Sequence, residues 1–184
     1  MDHHDHVALL RDGVARPDPD AGRPAAWADI GAGEGAFTLA LADLLGPGAT
    51  IVAVDRDRGA LRENDRRMAE RFPATALLTE VADLTGPLEL PTLDGLVAAN
   101  SLHFVARDRQ AGVIRDLAAH LRPGGTFVVV EYDADRGNPW VPNPFSAASW
   151  DGLAAAAGLV DARTIGRVPS RFLGAIYSAV ARRP

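Results

Sequence analysis

The sequence predicts an α/β fold: a doubly wound, mostly parallel seven-stranded sheet with a C-terminal antiparallel hairpin. Three observations predict it. Short apolar runs alternate with stretches of helical periodicity, the order that gives a parallel sheet covered by helices on both faces. The first run ends on a glycine-rich turn, "DIGAGEGAF". The last two runs have no helix between them, so they must pair antiparallel.

The elements follow in order along the chain. Residues 5–12, "DHVALLRD", predict a short helix stopped by Gly13. "RPDPDAGRP" is a Pro- and Asp-rich linker, so residues 1–25 read as helix plus linker ahead of the sheet. "AAWADI" predicts the first strand, and "GAFTLALADLL" a helix ending at "GPG". "ATIVAVD" predicts the second strand, "DRGALRENDRRMAERF" a charged helix ended by Pro73, and "ATALLTE" the third strand. "LDGLVAAN" predicts the fourth, and "DRQAGVIRDLAAHL" a helix broken by "RPGG", with His120 in its last turn. "TFVVVEY", with three consecutive valines, gives the strongest β signal. A loop with three prolines, "DADRGNPWVPNPFS", leads to the helix "AASWDGLAAAAG". "VDARTIG" and "RFLGAIYSAVARR" close the chain as two strands around "RVPS". There is no internal repeat, and 184 residues suit one domain spanning 1–184.

Composition excludes several chemistries. There is no Cys and no Lys, every basic residue being Arg. Disulfides, thiolate nucleophiles, a lysine Schiff base and a P-loop lysine are therefore absent, and a cytoplasmic setting is expected. The start, "MDHHDH", lacks the regions of a signal peptide. No apolar run approaches the roughly 20 residues of a membrane helix. A net charge of −5 without a basic cluster argues against a nucleic-acid partner.

Ligands of such sheets bind beyond the carboxyl ends of the strands. Gly31, Gly33 and Gly35 follow the first strand, and Asp55 ends the second. Asp83 follows the third, Asn100 to His103 follow the fourth, and Glu131 to Asp133 end the fifth. Glycines let backbone approach a ligand closely. Asp55 is placed to accept hydrogen bonds from ribose hydroxyls; the competing reading is a helix N-cap. Asp83 suits an adenine exocyclic amine, against a solvated loop acid. "GAGEGA" also satisfies the dinucleotide spacing G-x-G-x-x-G/A, with Ala36 last. Asp29, the terminal hairpin and the lack of room for a substrate domain speak against that reading.

The ordered set resembles class I S-adenosylmethionine-dependent methyltransferases over nearly the whole chain. "WADIGAGEGAF" resembles their first motif, Asp-x-Gly-x-Gly-x-Gly, with Asp29, Gly31, Gly33 and Gly35. "VAVDRD" resembles the second, implying Asp55 at the ribose and Arg56 beside the adenine. "EVADLT" resembles the third, with Asp83 at the adenine amine and Leu84 beside it. "LDGLVAANSLHFV" resembles the fourth, which brings Asn100 to the cofactor. The resemblance implies a Rossmann-like sheet, S-adenosylmethionine as cofactor and S-adenosylhomocysteine as product. "DHVALLRDG", "DRGNPWVPNPF" and "SRFLGAIYSA" look like a small bacterial subgroup without an assigned substrate.

The methyl group of such a cofactor is already activated, so the protein mainly holds an acceptor in line with it. His103 is the candidate base, against a packing role, with Glu131 and Asp133 as alternatives that also suit structural acceptors. The loop "DRGNPWVPNPF" is expected to contact substrate through Arg136, Asn138, Trp140, Asn143 and Phe145, with Tyr132 lining the pocket. The competing reading puts Trp140 in the core. "HHDH" is not expected to bind metal, a terminal segment lacking the fixed backbone a ligand set needs; the first helix is instead expected to act as a lid with His6 inward. "NSLH" lacks the Asn/Asp-Pro-Pro-aromatic pattern of nucleic-acid amino methylation, which favours a small-molecule acceptor. An RNA or protein acceptor, and a catalytically silent cofactor-binding module, are the alternatives. A nicotinamide oxidoreductase ranks last.

Overall fold

The computed structural model describes residues 1–14, 22–170 and 172–184. In chain order these form α1 His3–Leu10, β1 Ala26–Ile30, α2 Ala36–Leu45, β2 Thr50–Asp55, α3 Arg58–Arg71, β3 Ala76–Val81 and β4 Leu93–Ala99. A 3-10 turn, Leu102–Phe104, precedes α4 Arg107–Ala118, β5 Leu121–Tyr132, α5 Ala147–Ala156, β6 Val160–Pro169 and β7 Ala175–Arg182. The seven strands lie in one sheet in the order β3-β2-β1-β4-β5-β7-β6. β1 to β5 pair in parallel, and β7 runs antiparallel to both β5 and β6. The doubly wound sheet and its terminal hairpin are as the sequence predicts. The linker expected at 16–24 lies mostly outside the described residues.

β5 explains the layering. Side chains alternate faces along a strand. Phe127 and Val129 join one core, with Leu96, Ile114, Phe145 and Trp150. Val128 and Val130 join the other, with Trp27, Leu39, Leu41 and Met68. A strand covered on both sides needs an apolar run rather than an alternating one, which is why three valines stand in a row.

Several boundaries differ from expectation: α1 is His3–Leu10 rather than 5–12, β6 runs on through Pro169 into "RVPS", and β7 begins at Ala175. α4 stops at Ala118, and β5 begins at Leu121, so "RPGG" belongs to the strand. Leu121 pairs with Leu93, and Gly124 donates to the carbonyl of Arg183. Those ladder partners outweigh the turn propensity of Pro and Gly. His120 therefore follows the helix instead of capping it, and its carbonyl accepts from the Leu93 amide.

α1 starts with a capping box in which Asp2 and Asp5 each accept the other's amide at 3.0 Å. Its Val7, Leu9 and Leu10 are buried in the core that holds Phe37, Leu39 and Leu41 of α2. His6 is half-buried, edge-on to the Phe37 ring at 4.8 Å, and burial holds its pKa below the ordinary histidine value. The helix expected as a lid is thus docked on α2 by apolar burial. His3 hydrogen-bonds Asp43 at 3.1 Å. Among the described residues no helix is long and apolar enough to cross a membrane.

Candidate active site

The strand order reverses between β1 and β4, and a cleft of about 630 Å³ opens there. Gly31, Gly33, Asp55, Arg56, Asp83, Leu84 and Asn100 all line it. Seven of the nine residues expected at a cofactor therefore meet in one space. Asp29 and Gly35 do not stand in its wall, and their positions give the reason.

Asp29 is buried beneath the turn and accepts the Thr38 hydroxyl at 2.6 Å. Thr38 in turn accepts from the Asn64 amide at 2.8 Å. This chain ties the end of β1 to α2 and α3. Burial pushes the Asp29 carboxyl up to about 7. Gly35 begins α2 with a φ of 88°, and a Cβ there would stand 2.1 Å from Asn64 Oδ1. Gly31 has a φ of 75°, and a Cβ there would stand 2.5 Å from that of Ser101. Both the left-handed backbone and the close approach require glycine.

Asp55 supports the turn from the next strand. Its Oδ2 accepts the Gly33 amide and its Oδ1 the Asp57 amide, each at 2.8 Å. The helix N-cap is Asp57, whose carboxylate accepts from Gly59 and Ala60. The capping reading of Asp55 is thus corrected: a residue two positions on does that work. Asp83 accepts both the amide and the hydroxyl of Thr85 on Oδ1, which holds its pKa below the usual carboxylate range.

The other side of the cleft is built from the segment after β4, the 3-10 turn and the start of α4, through Asn100, Ser101, Phe104, Val105, Ala106 and Arg109, while His103, Glu131 and Tyr132 stand outside its wall. Asn100 takes a left-handed φ of 51°, rare for a side-chain-bearing residue. Its Oδ1 and the Ser101 Oγ are buried without a hydrogen-bond partner among the described residues. Such backbone strain together with unsatisfied acceptors is a mark of function. His103 is 3% exposed, and its Nδ1 lies 2.9 and 3.0 Å from the two oxygens of fully buried Glu131. Glu131 is therefore the partner of His103, and not an independent base. Asp133 is a structural acceptor, paired with Arg167 at 2.7 Å and accepting the Ala147 amide.

The loop after β5 divides. Trp140 is 80% exposed, against the reading that buries it in the core. Arg136 is exposed as well, and Tyr132 is half-buried with its ring 5.9 Å from His103. Phe145 corrects an expectation: it is buried and stacks on Trp150 at 6.2 Å. Asn138 accepts the amides of Trp140 and Val141 at 2.9 Å, so its side chain shapes the turn that presents Trp140. Asn143 donates its amide to the carbonyl of His103 at 3.0 Å and pins the loop to the 3-10 turn.

A family model described as "Methyltransferase domain" matches residues 28–127, more than half of the chain. The chain belongs to the methyltransferase domain family. The family and cofactor expected from the motifs are those of an S-adenosylmethionine-dependent methyltransferase. No curated protein matches the chain. Among solved structures, the YcgJ protein from Bacillus subtilis is 14% identical, covers 98% of this chain and 99% of its own, and gives a TM-score of 0.75. The N-methyltransferase NodS from Bradyrhizobium japonicum, solved with S-adenosylhomocysteine, is 19% identical over 98% of this chain and 86% of its own, with a TM-score of 0.71. The 1,6-didemethyltoxoflavin N1-methyltransferase of Burkholderia thailandensis, solved with its substrate and S-adenosylhomocysteine, is 21% identical over 98% and 77%, with a TM-score of 0.70. Identities this low carry the fold alone.

Several residues of the methyltransferase's site escaped the sequence reading. Phe104 and Arg109 line the cleft, and Arg109 and Arg56 help lower the Asp83 pKa. Asn64 and Gln110 had a signal. Each stands on the apolar stripe of its helix, Asn64 between Leu61 and Met68, and Gln110 before Val113, Ile114 and Leu117. A polar residue on a buried stripe must find partners. Gln110 donates to the carbonyls of Asn143, Leu102 and Val105 at 2.8, 3.3 and 3.4 Å.

Proposed function

We propose that this methyltransferase, acting as one domain in the cytoplasm, transfers a methyl group to a small-molecule acceptor by in-line displacement. One observation carries the cofactor's placement: Asp55, Asp83 and Asn100 meet in a single cleft at the strand-order switch. The residues present fit S-adenosylmethionine. Asp55 spends one lone pair per oxygen on backbone amides and keeps acceptor capacity for two ribose hydroxyls. Asp83 keeps Oδ2 for the adenine amine, with Leu84 and Arg56 beside the base. A Cβ built on Gly33 would meet nothing within 4 Å, so backbone there is open to a ligand. The orphaned Asn100 Oδ1 suits an ammonium donor. Asp29 and Gly35 serve by holding the turn from beneath.

S-adenosylmethionine, when bound, supplies a methyl group activated by its sulfonium. The chain's own groups orient the acceptor and exclude water from it. His103 is the candidate base through Nε2, because Nδ1 is engaged by Glu131. Tyr132, Arg136, Trp140 and the Asn138 turn form the acceptor side. Support for a small acceptor comes from three sides: the near-complete burial of His103, the net charge of −5, and the small-molecule substrate of the toxoflavin-precursor enzyme.

Titration calorimetry with S-adenosylhomocysteine and with NADH tests the cofactor. Binding of the former alone is expected, and the reverse would sink the assignment. A labelled-methyl screen over metabolites, RNA and protein tests the acceptor class. Label appearing only in RNA or protein would overturn the small-molecule reading, and transfer to nothing would leave a silent binding module.

A further inference from the structure

We propose that the free edge of the sheet at β3 is a dimer interface, on which a second copy of this chain pairs antiparallel about a twofold axis at Thr79. The interface lies apart from the cleft and stands whatever the cleft binds. The sheet ends in β3 on one side and in β6 on the other. An edge strand carries a row of N–H and C=O groups open to another chain, and proteins blunt such edges with prolines, bulges and charges. β6 is blunted in this way. Its pairing with β7 shifts register between Val160 and Arg163 and again between Thr164 and Gly166. Asp161 takes a left-handed φ of 55°, Pro169 ends the strand, and Arg163 and Arg167 are exposed along it. β3, "ALLTEV", has no proline and no bulge, and it pairs with β2 in unbroken register along its whole length. Its one charge, Glu80, is turned back to accept the Glu89 amide of its own chain. Leu78 and Val81 are left 54% and 44% exposed.

The backbone of β3 is complementary to its own copy. Ala76 and Ala82 donate to the carbonyls of Ala49 and Asp55 on the β2 side. Backbone groups alternate sides along a strand, so Leu77, Thr79 and Val81 turn theirs to the open edge. With the axis at Thr79, that residue forms a hydrogen-bonded pair with the partner's Thr79, and Leu77 forms one with the partner's Val81. Thr–Thr and apolar pairs are both favourable across strands. The helix layer fits as well. α3 contacts both β2 and β3, so it lies over the two. With strands about 4.8 Å apart, pairing across the edge brings the two α3 helices to roughly 10 Å, a helix-packing distance, in antiparallel order. Leu61, Asn64 and Met68 face the core, and Arg67 on one flank reaches the Glu34 carbonyl ahead of α2. Helical spacing puts exposed Arg58, Arg62 and Asp65 on the opposite flank, over the free edge. Glu63, Arg66 and Glu70 pair with one another, while Arg58, Arg62 and Asp65 have no ion-pair partner among the described residues. Antiparallel packing carries Asp65 of each copy past the arginines of the other, so the flank is self-complementary in charge. The assembly closes at two, because only the blunted β6 edges remain open.

The test uses the full chain in sedimentation equilibrium across micromolar concentrations, with amide hydrogen exchange read by NMR on the same samples. We expect a monomer–dimer equilibrium with no larger species. The amides of Leu77, Thr79 and Val81 should become protected only at concentrations where the dimer forms. Thr79→Pro removes an edge donor from each copy and should raise the dimer Kd about tenfold or more. Proline also perturbs β3 itself, so the α3 flank supplies a second test on exposed positions. Asp65→Arg alone, and Arg58→Asp combined with Arg62→Asp, should each weaken self-association about fivefold or more, with Tm near wild type. An equimolar mixture of those two variants restores opposite charge on facing flanks and should recover the wild-type affinity. A chain that stays monomeric, an open-ended oligomer, a dimer whose Leu77, Thr79 and Val81 amides stay unprotected, or a mixture that fails to recover affinity overturns the proposal.

Discussion

On the β1–β3 side of the cleft, the polar groups are held by bonds close to the motif that contains them. Asp83 is held by Thr85 and Asp55 by Asp57, each two residues away, and Asp55 reaches beyond its own motif only to the Gly33 amide in the glycine turn after β1. On the β4–β5 side, the polar groups are held across long stretches of chain. Glu131 meets His103 across 28 residues, and Gln110 meets Asn143 across 33. Under the proposed function, the first side is a backbone cradle for a cofactor of fixed shape, and the second a set of side-chain contacts that can change with the acceptor. The difference predicts that the two sides fail separately when mutated.

The largest effect on ligand binding should come from Asp55→Ala. It removes the turn's support at Gly33 and the two acceptors proposed for ribose. Hydrogen bonds to charged groups contribute about 1.5–3 kcal/mol each, so S-adenosylhomocysteine affinity should fall about 100-fold or more by calorimetry. Affinity within threefold of wild type would remove Asp55 from the cradle.

Next comes the pH response of Asp29. Its carboxyl titrates near 3.9 in an unfolded chain and at about 7 when folded. Between those values the folded state keeps a proton that the unfolded state has lost, so stability falls as pH rises. The contribution is fully present below about pH 3.9 and gone above 7. Asp29→Asn removes this slope, so the variant should gain about 4 kcal/mol relative to wild type between pH 4 and 8 in urea titrations. Parallel profiles would mean that Asp29 ionises freely in the fold.

These two cases show what the sequence made legible. The cradle could be read because its parts recur at fixed short spacing and each strand end is announced by an apolar run. Asp29 was legible as a motif residue, but its task was not, because Thr38 and Asn64 reach it from two helices. The acceptor side was harder. His103 stood out as an isolated titratable residue, while its partnership with Glu131 depends on β4 and β5 being neighbours in the sheet. Phe145 and Trp140 look alike in a Pro-rich loop, and only packing against Trp150 separates the buried from the exposed one.

Gln110→Ala probes the long-range side. It leaves the carbonyl of Asn143 without its 2.8 Å donor beside the loop. Stranding a buried polar group costs about 1–3 kcal/mol, and the loop that presents Trp140 loses an anchor. We expect a Tm lower by about 2–10 °C, reduced turnover of whatever acceptor the screen identifies, and unchanged affinity for S-adenosylhomocysteine. A parallel loss of cofactor affinity would show that the two sides are coupled.

Trp140→Ala should have the smallest effect on the fold and the most selective effect on function. A side chain 80% exposed contributes little apolar burial, and surface substitutions of this kind usually stay within about 0.5 kcal/mol. The Tm should therefore move by no more than about 2 °C. An indole held outward by the Asn138 turn still offers a large rigid face to an acceptor. Its removal should raise KM for the acceptor several-fold, with kcat and S-adenosylhomocysteine affinity near wild type, because the lost contact is uniform binding rather than a transition-state interaction. An unchanged KM would move acceptor recognition off this loop and onto Phe104 and Tyr132, nearer the base. A large loss of Tm would mean that Trp140 packs in solution, and the separation between cradle and acceptor side would then have to be redrawn around the loop's own folding.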